Sequence, residues 1–327
     1  MEGYRMMRGT IIAESIPTLS AKVNNITPLS PPLILWGVRV RLPALFFLAA
    51  FILSASTTFA FKLPDTGQTL CYDSAGKVIN CAGTGQDGEY NMHPMSYTDN
   101  GNGTVTDNNT GLMWQQQDDG NLHNWYQASG VYDATFNPTS QNVCGSLSLG
   151  GHTDWRLPSK KELVTIVDYS IPNPGPTINS IFTNTQQFEY WSSTNITFHA
   201  QILDFQHGIV FYDIPDYEHY VRCVRGGQYT AQSFTDNGDG TVTDNKTGLV
   251  WQQGEPGNRT WQDALTYCKG LILGGQTDWR LPNVKELESI TDDNRYDPAI
   301  DTTYFPGAVA SIYYSIYWTS TSVVSLN

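Results

Sequence analysis

Charge is scarce in this chain. Only 15% of its 327 residues are Asp, Glu, Lys or Arg, against roughly 25% in an average soluble protein. Basic residues are scarcer still, 18 against 31 acidic ones, for a formal net charge of −13. That speaks against a nucleic-acid surface, because phosphate binding needs Lys and Arg to displace counterions. The 6 histidines are scattered with no His-Glu-x-x-His helix, and the 5 cysteines include no Cys-x-x-Cys pair, so neither zinc nor any other metal is expected. No Gly-x-Ser-x-Gly elbow and no phosphate loop appears, and no cofactor is implied. Aromatic residues, in contrast, make up 12% of the chain, with 9 Trp and 18 Tyr. A disordered acidic tail lacks such residues. The chain is therefore read as folded and rich in loops.

Arg39 and Arg41 precede an apolar run from Leu42 to Leu53, followed by Ser54-Ala55-Ser56-Thr57-Thr58-Phe59-Ala60. This is the layout of an export signal cleaved after Ala60, and the run is too short for a comfortable membrane span. Residues 1–60 are assigned to an N-terminal extension and signal peptide. Removing their five basic and two acidic residues leaves 13 against 29, a net charge of −16. The expected location is secreted, periplasmic or cell-surface, where disulfides are permitted. Leu63-Pro64-Asp65-Thr66-Gly67 spells a sortase signal but stands far from any C-terminal hydrophobic tail, and it is set aside.

An internal repeat organises the rest. Tyr97–Gln116 and Phe234–Gln253 share 16 of 20 positions, and Leu147–Leu163 and Leu271–Leu287 share 13 of 17. Tyr190-Trp191-Ser192-Ser193-Thr194 also matches Tyr317-Trp318-Thr319-Ser320-Thr321. Two long copies mean duplicated domains and not a solenoid. The offset falls from 136 at Trp125 and Trp261 to 124 at Cys144 and Cys268, which places an insertion of 12 residues in the first copy. The domains are drawn as a leader at 61–96, a first copy at 97–227 and a second at 228–327. The first copy ends in Val221-Arg222-Cys223-Val224-Arg225-Gly226-Gly227. The match in the second copy would put its cysteine near position 350, so that copy is read as truncated, or as closed by a partner chain. Cys268 then corresponds to Cys144 and is left unpaired. Cys144 and Cys223 are expected to form a bridge, and Cys71 and Cys81 to staple a small hairpin.

Local signals fill in the elements. Asp99-Asn100-Gly101-Asn102-Gly103 is a turn between strands. Its counterpart from Asp236 to Gly240 fails the calcium-loop pattern, since Thr235 and Lys246 stand where acidic ligands are needed. Thr260 caps a helix whose Trp261, Ala264, Leu265 and Cys268 form one buried stripe. Ser159-x-x-Glu162 and Asn283-x-x-Glu286 are capping boxes for a second helix type. Strands are expected at 202–205 and 209–211 around a Gln206-His207-Gly208 turn, with a closing strand at 220–225.

Together the blocks DNGxGTVTDNxTGLxWQQ, GGxTDWRLPxxxEL with YWSST, and VRCVRG resemble the Lcl C-terminal domain family, long described as a domain of unknown function. The resemblance covers the first copy fully and the second to about Thr321. It implies an α+β fold like that of C-type lectins, with two helices, a small twisted antiparallel sheet and long loops, here duplicated. The family's namesake is an adhesin that engages sulfated polysaccharide, a ligand that suits a basic site and not this acidic chain. The calcium-lectin sugar motifs are not visible: Glu255-Pro256 runs into Gly257, and Trp191 into Ser192. The expected function is an exported binding or adhesion module, not an enzyme, with a glycan or surface protein as ligand. The alternatives are an enzyme of the formylglycine-generating type, which shares the fold, and a purely structural envelope protein. The contact residues are sought in the insertion 130–141 and in 198–220. They are Tyr132, Phe136, Phe198, His199, Phe205, His207, Phe211, Tyr212 and Tyr217.

Overall fold

A computed structural model describes residues 62–196, 198–228, 232–295, 297–308 and 317–323, together with the backbone of a strand at Ala13–Ser15 (β1). The rest of the segment read as an export signal lies outside the described residues. The architecture is mixed α+β, built from small antiparallel sheets, four short α-helices and two disulfides among the described residues. No described helix is long and apolar enough to cross a membrane.

The leader contributes a hairpin, Cys71–Tyr72 (β2) with Val78–Ile79 (β3), stapled by the Cys71–Cys81 bridge. Asp73 makes the turn by accepting the N–H groups of Ala75 and Lys77 on one oxygen, each at 2.9 Å.

In the first repeat Tyr97–Asp99 (β4), Thr104–Asp107 (β5) and Met113–Gln115 (β6) form an antiparallel meander. Its first turn needs Gly101 and Gly103 in the left-handed region, at φ 70° and 82°. Asn100 locks that turn by donating to the hydroxyls of Thr104 (2.9 Å) and Thr106 (3.0 Å). These bonds explain why the block is so Asn/Thr-rich, and Asn237 repeats them on Thr241 and Thr243. His123–Asn124 (β7) leads into a helix at Trp125–Ser129 (α1), capped by an Asn124–Gln127 box and ended by Gly130 at φ 80°. The insertion begins there. In the second repeat the same helix continues for 10 residues.

Lys160–Thr165 (α2) starts at the Ser159–Glu162 capping box. Glu189–Ile196 (β8), His199–Asp204 (β9) and Ile209–Asp213 (β10) then form an antiparallel sheet covered on both faces. Strand alternation decides which core each residue joins. Tyr190, Leu203, Phe205 and Val210 meet α2, while Trp191, Ala200, Ile202 and Phe211 meet α1 and Trp155. Glu218–His219 (β11) pairs with β7, and Val224–Arg225 (β12) with β6. The closing strand is thus shorter than the expected 220–225. Cys223 gives its N–H to the Gln115 side chain (3.1 Å), so the named strand begins only at Val224.

The second repeat copies this plan with Phe234–Asp236 (β13), Thr241–Asp244 (β14), Leu249–Gln252 (β15), Trp261–Gly270 (α3) and Val284–Ser289 (α4). It also has two cores, one around Trp251 and Phe305, the other around Cys268 and Trp279. The repeats meet through α2 and α4. Lys161 donates to the carbonyl of Ser289 (3.1 Å) and to that of Thr291, while Lys285 donates to that of Thr165 (2.8 Å). Each lysine thus satisfies free carbonyls at the end of the opposite helix. The leader straps the pair together: Thr66 of the leader and Thr321 of the second repeat both donate to buried Asp87, at 2.7 and 2.6 Å.

Candidate ligand-contact surface

The insertion in the first repeat is ordered by one buried side chain. The Asn137 amide donates to the carbonyls of Tyr126, Val131 and Gln141 at 2.9–3.0 Å, and its oxygen accepts the Gln141 N–H at 2.8 Å. Asp133 adds an inner turn by accepting the N–H groups of Thr135 and Phe136, both at 2.8 Å. With its backbone groups satisfied from within, the loop holds Tyr132 and Phe136 outward on a fixed frame.

That loop lies against the first turn of α1. Phe136 stacks on Tyr126 with centroids 5.9 Å apart and planes 7° from parallel. The Asn124 side chain donates to the Phe136 carbonyl at 3.0 Å. On its other side α1 receives the segment that follows β10, where the Trp125 N–H donates to the Pro215 carbonyl at 2.9 Å. Tyr217 closes a turn onto Ile214 there. Two residues upstream of Ile214, Tyr212 meets His199 edge-on at 5.1 Å, beside Phe198. Two ring contacts, His199 with Tyr212 and Tyr126 with Phe136, therefore sit in the two segments that the Trp125–Pro215 bond ties together.

Exposure separates the surface residues from the framework. Phe198 is 80% exposed, Tyr212 65%, Tyr132 62%, Tyr217 54% and Phe136 38%. Ile214 and Val131 add exposed aliphatic area. Single exposed apolar residues are ordinary, but several of them in two neighbouring segments of one repeat are the candidates for a contact face. Two expected members lie elsewhere. Phe205 is fully buried against Tyr190, which makes it core, because a residue following β9 continues the inward alternation. His207 sits in the β9–β10 turn, as expected, with its Nδ1 2.5 Å from Asp204 and no contact to the inserted loop among those described. Phe211 is half-buried on the Trp191 side of the sheet.

Two residues beside the inserted loop escape a reading by composition. Tyr126 directly follows the core residue Trp125 on a short helix, so it points to the other side, and that spacing was the available signal. Asp216 holds an oxygen that is buried without a hydrogen-bond partner among the described residues. Burial pushes the Tyr126 phenol above its ordinary value, and the carboxylates of Asp133 and Asp216 push the same way. Beneath the face, His219 packs edge-on against Trp191 at 4.5 Å and pairs with Asp213 at 2.9 Å.

The two arginines of the closing segment, Arg222 and Arg225, are both engaged. Arg222 is buried and donates to the carbonyls of Gln115 (2.8 Å) and Gln116 (2.7 Å), to Thr185 (2.7 Å) and to Asp118. Arg225 pairs with Asp154 at 2.8 Å. Arg156 grips Glu162 with two bonds of 2.7 Å, and this locks the RLP entry of α2. The Cys144–Cys223 bridge, with Cα atoms 5.5 Å apart, fastens this closing segment to the end of the inserted loop. Among the described residues no group of three or more His, Cys, Asp or Glu is placed to hold a metal ion.

The model of the Lcl C-terminal domain matches residues 103–225 and again 240–327, more than half of the chain. The chain belongs to this family. The two matched segments agree with tandem copies, and each contains the last two strands of a meander, one Trp-Arg-Leu-Pro entry and two capped helices of the Lcl C-terminal domain. No curated protein matches the chain. The disulfides fit an extracytoplasmic Lcl C-terminal domain protein.

Proposed function

We propose that this protein is an exported binding module with C-type-lectin-like domains, and that it binds a glycan or a surface protein through the first repeat. The exposed aromatic residues of the inserted loop and of the 198–217 segment carry this reading. Rigidly held, exposed Tyr and Phe rings present area at low entropic cost, and their faces suit the C–H surface of a sugar ring or an apolar side chain. The insertion that supplies Tyr132 and Phe136 belongs to the first repeat alone, which assigns the contact role to that copy. The surplus of acidic residues favours a neutral or basic ligand over a sulfated one.

We also propose that the chain is not an enzyme of the formylglycine-generating type. Thiol catalysis needs an accessible, activated thiolate. Both cysteines of the first repeat are joined to each other, and burial pushes the Cys268 thiol up to about 12.

A glycan array probed with the exported protein tests the binding reading, in calcium and in chelator, beside the Tyr132→Ala/Phe198→Ala/Tyr217→Ala variant. Specific binding that the triple variant loses and chelator leaves intact is the expected result. A blank array together with no retention on intact cell envelopes would overturn the binding role.

A further inference from the structure

The β8–β9–β10 sheet of the first repeat breaks register at one residue. Trp191 pairs with Ile202 and Asn195 with Ala200, so Ser192, Ser193 and Thr194 of β8 all stand opposite Gln201. Such a bulge interrupts the ladder and re-aims the side chains around it. Its own polar groups are engaged elsewhere. The Ser192 hydroxyl donates to the Gln201 backbone carbonyl at 2.8 Å, and the Ser193 N–H donates to the Pro158 carbonyl at 2.7 Å. The Thr194 hydroxyl accepts the Lys160 N–H at 3.0 Å. Among the described residues nothing in the bulge bonds the Gln201 side chain.

On its other flank Gln201 pairs with Tyr212. Residues directly opposite in an antiparallel pair share a face, and so do residues two apart on one strand. The neighbouring pair, Leu203 with Val210, belongs to the core around Tyr190. Gln201, Tyr212 and His199 therefore lie on that same face, just past the limit of that core. Gln201 is only 9% exposed, and its Oε1 is buried without a hydrogen-bond partner among the described residues. Tyr212 beside it is 65% exposed and meets His199 edge-on at 5.1 Å. An unpaired buried amide destabilises a fold, and an apolar side chain at the same place would avoid that cost. A polar group kept there, next to an open aromatic ring, points to a ligand that completes its bonding.

We propose that Gln201 and Tyr212 form a subsite for a neutral pyranose, with the Tyr212 ring against the sugar's C–H face and the Gln201 amide on two adjacent hydroxyls. This rests on the binding reading above and takes a glycan as the ligand. A primary amide carries an acceptor and two donors side by side, and a pair of neighbouring hydroxyls offers the matching donor and acceptor. The aromatic ring supplies apolar area beside that polar group. The surroundings select against an anionic sugar: residues 198–220 contain four acidic residues, Asp204, Asp213, Asp216 and Glu218, and no Lys or Arg. His199, packed edge-on with Tyr212, holds the orientation of that ring.

The test uses the isotope-labelled exported protein and the methyl glycosides of glucose, mannose and galactose, titrated up to their solubility. The side-chain amide signal of Gln201 is identified by its loss in Gln201→Met. The expected result is that at least one glycoside shifts this signal, and that Gln201→Met weakens binding of that sugar roughly tenfold, the size of two neutral hydrogen bonds. Tyr212→Ala should weaken it as well. Methionine keeps the length of the side chain without its polar atoms, so the urea midpoint of Gln201→Met should equal or exceed that of the parent. A lower midpoint would show that the amide is satisfied inside the fold, and would overturn the proposal. An amide signal that no glycoside moves would overturn it too. Glycan binding that Gln201→Met leaves unchanged would remove this subsite while the binding role of the first repeat stands on other residues.

Discussion

Replacing Lys285 with methionine should change stability by an amount that depends on pH. The side chain is 1% exposed, and its ammonium donates to the carbonyls of Thr165 (2.8 Å) and Asp65 (3.0 Å). Burial lowers its pKa from 10.5 to about 8, against the pull of Asp107, Asp168, Asp87 and Asp65. In the unfolded chain the group returns to its ordinary value. Between those two values the unfolded chain holds more protons than the folded one, so stability rises with pH across that window. Below about pH 8 the whole penalty, about 3 kcal/mol, is present. Methionine removes the penalty and leaves two carbonyls without their donor, at about 1–3 kcal/mol each. The two effects oppose each other near pH 7, where the variant should lie within about 2 kcal/mol of the parent. Near pH 10 most of the penalty has left the parent, while the orphaned carbonyls remain in the variant. The variant should then fall behind by about 2 kcal/mol more than it did near pH 7. Urea unfolding of both proteins at the two pH values measures this, and the subtraction cancels tyrosines and Cys268, which titrate in both. A stability difference unchanged with pH would refute a charged, buried Lys285.

Asp87 is the mirror case. Burial raises its pKa from 3.8 to about 6, while hydrogen bonds from Thr321 and Thr66 pull it down. A raised carboxyl holds its proton more tightly when folded, so the penalty is absent below about pH 4 and complete above about pH 6. Asp87→Asn keeps an acceptor for both threonines and should stabilise by about 2 kcal/mol near pH 7 and by almost nothing near pH 3.5, read from thermal melting at both values. Replacing Cys144 and Cys223 together by serine opens a link between residues 79 apart, which should cost about 4 kcal/mol on the chain-entropy account. A loss under about 1 kcal/mol in urea unfolding would count against that account. Asn137→Ala removes four hydrogen bonds from a buried hub. It should raise amide exchange across 131–141 by more than about tenfold while leaving the second repeat's exchange unchanged.

Much of the fold was legible because it is written in short-range chemistry. The Asn/Thr/Gly turns, the capping boxes at Ser159 and Asn283 and the stripe of α3 each depend on residues within a few positions of one another. Repetition then exposed the odd cysteine. The contact surface was less legible, since exposure is set by partners far along the chain. Phe205 and Phe211 look alike in sequence, and only the alternation of β9 and β10 between two cores sends Phe205 inward. His207 was placed in the right turn, but a turn joining two strands can lie at either end of a sheet. Tyr126 and Asp216 are brought together by the bond from Trp125 to Pro215 and the β7–β11 pairing beside it, which no local pattern announces.

Duplication also explains why two buried lysines persist in a chain so poor in basic residues. Lys161 and Lys285 hold the same place in the two repeats, and so do Thr165 and Ser289. Lys161 reaches Ser289, and Lys285 reaches Thr165. Gln232 and Met95, equivalent positions before the two meanders, join the same contacts, Gln232 on Ser289 and Met95 on Lys285. Residue i of one copy meets residue j of the other, and j meets i, which is the rule of a two-fold dimer interface. The repeats are therefore packed as a dimer fused into one chain, with each lysine capping the helix of the other copy. Burial lowers the pKa of both lysines, and neither can be exchanged for an apolar residue without stranding carbonyls on the opposite repeat. The leader breaks the symmetry. It presents the Asp65 carbonyl to Lys285 and Asp87 to Thr321, so one side of the pair is tied to an added segment while the aromatic face of the first repeat remains open.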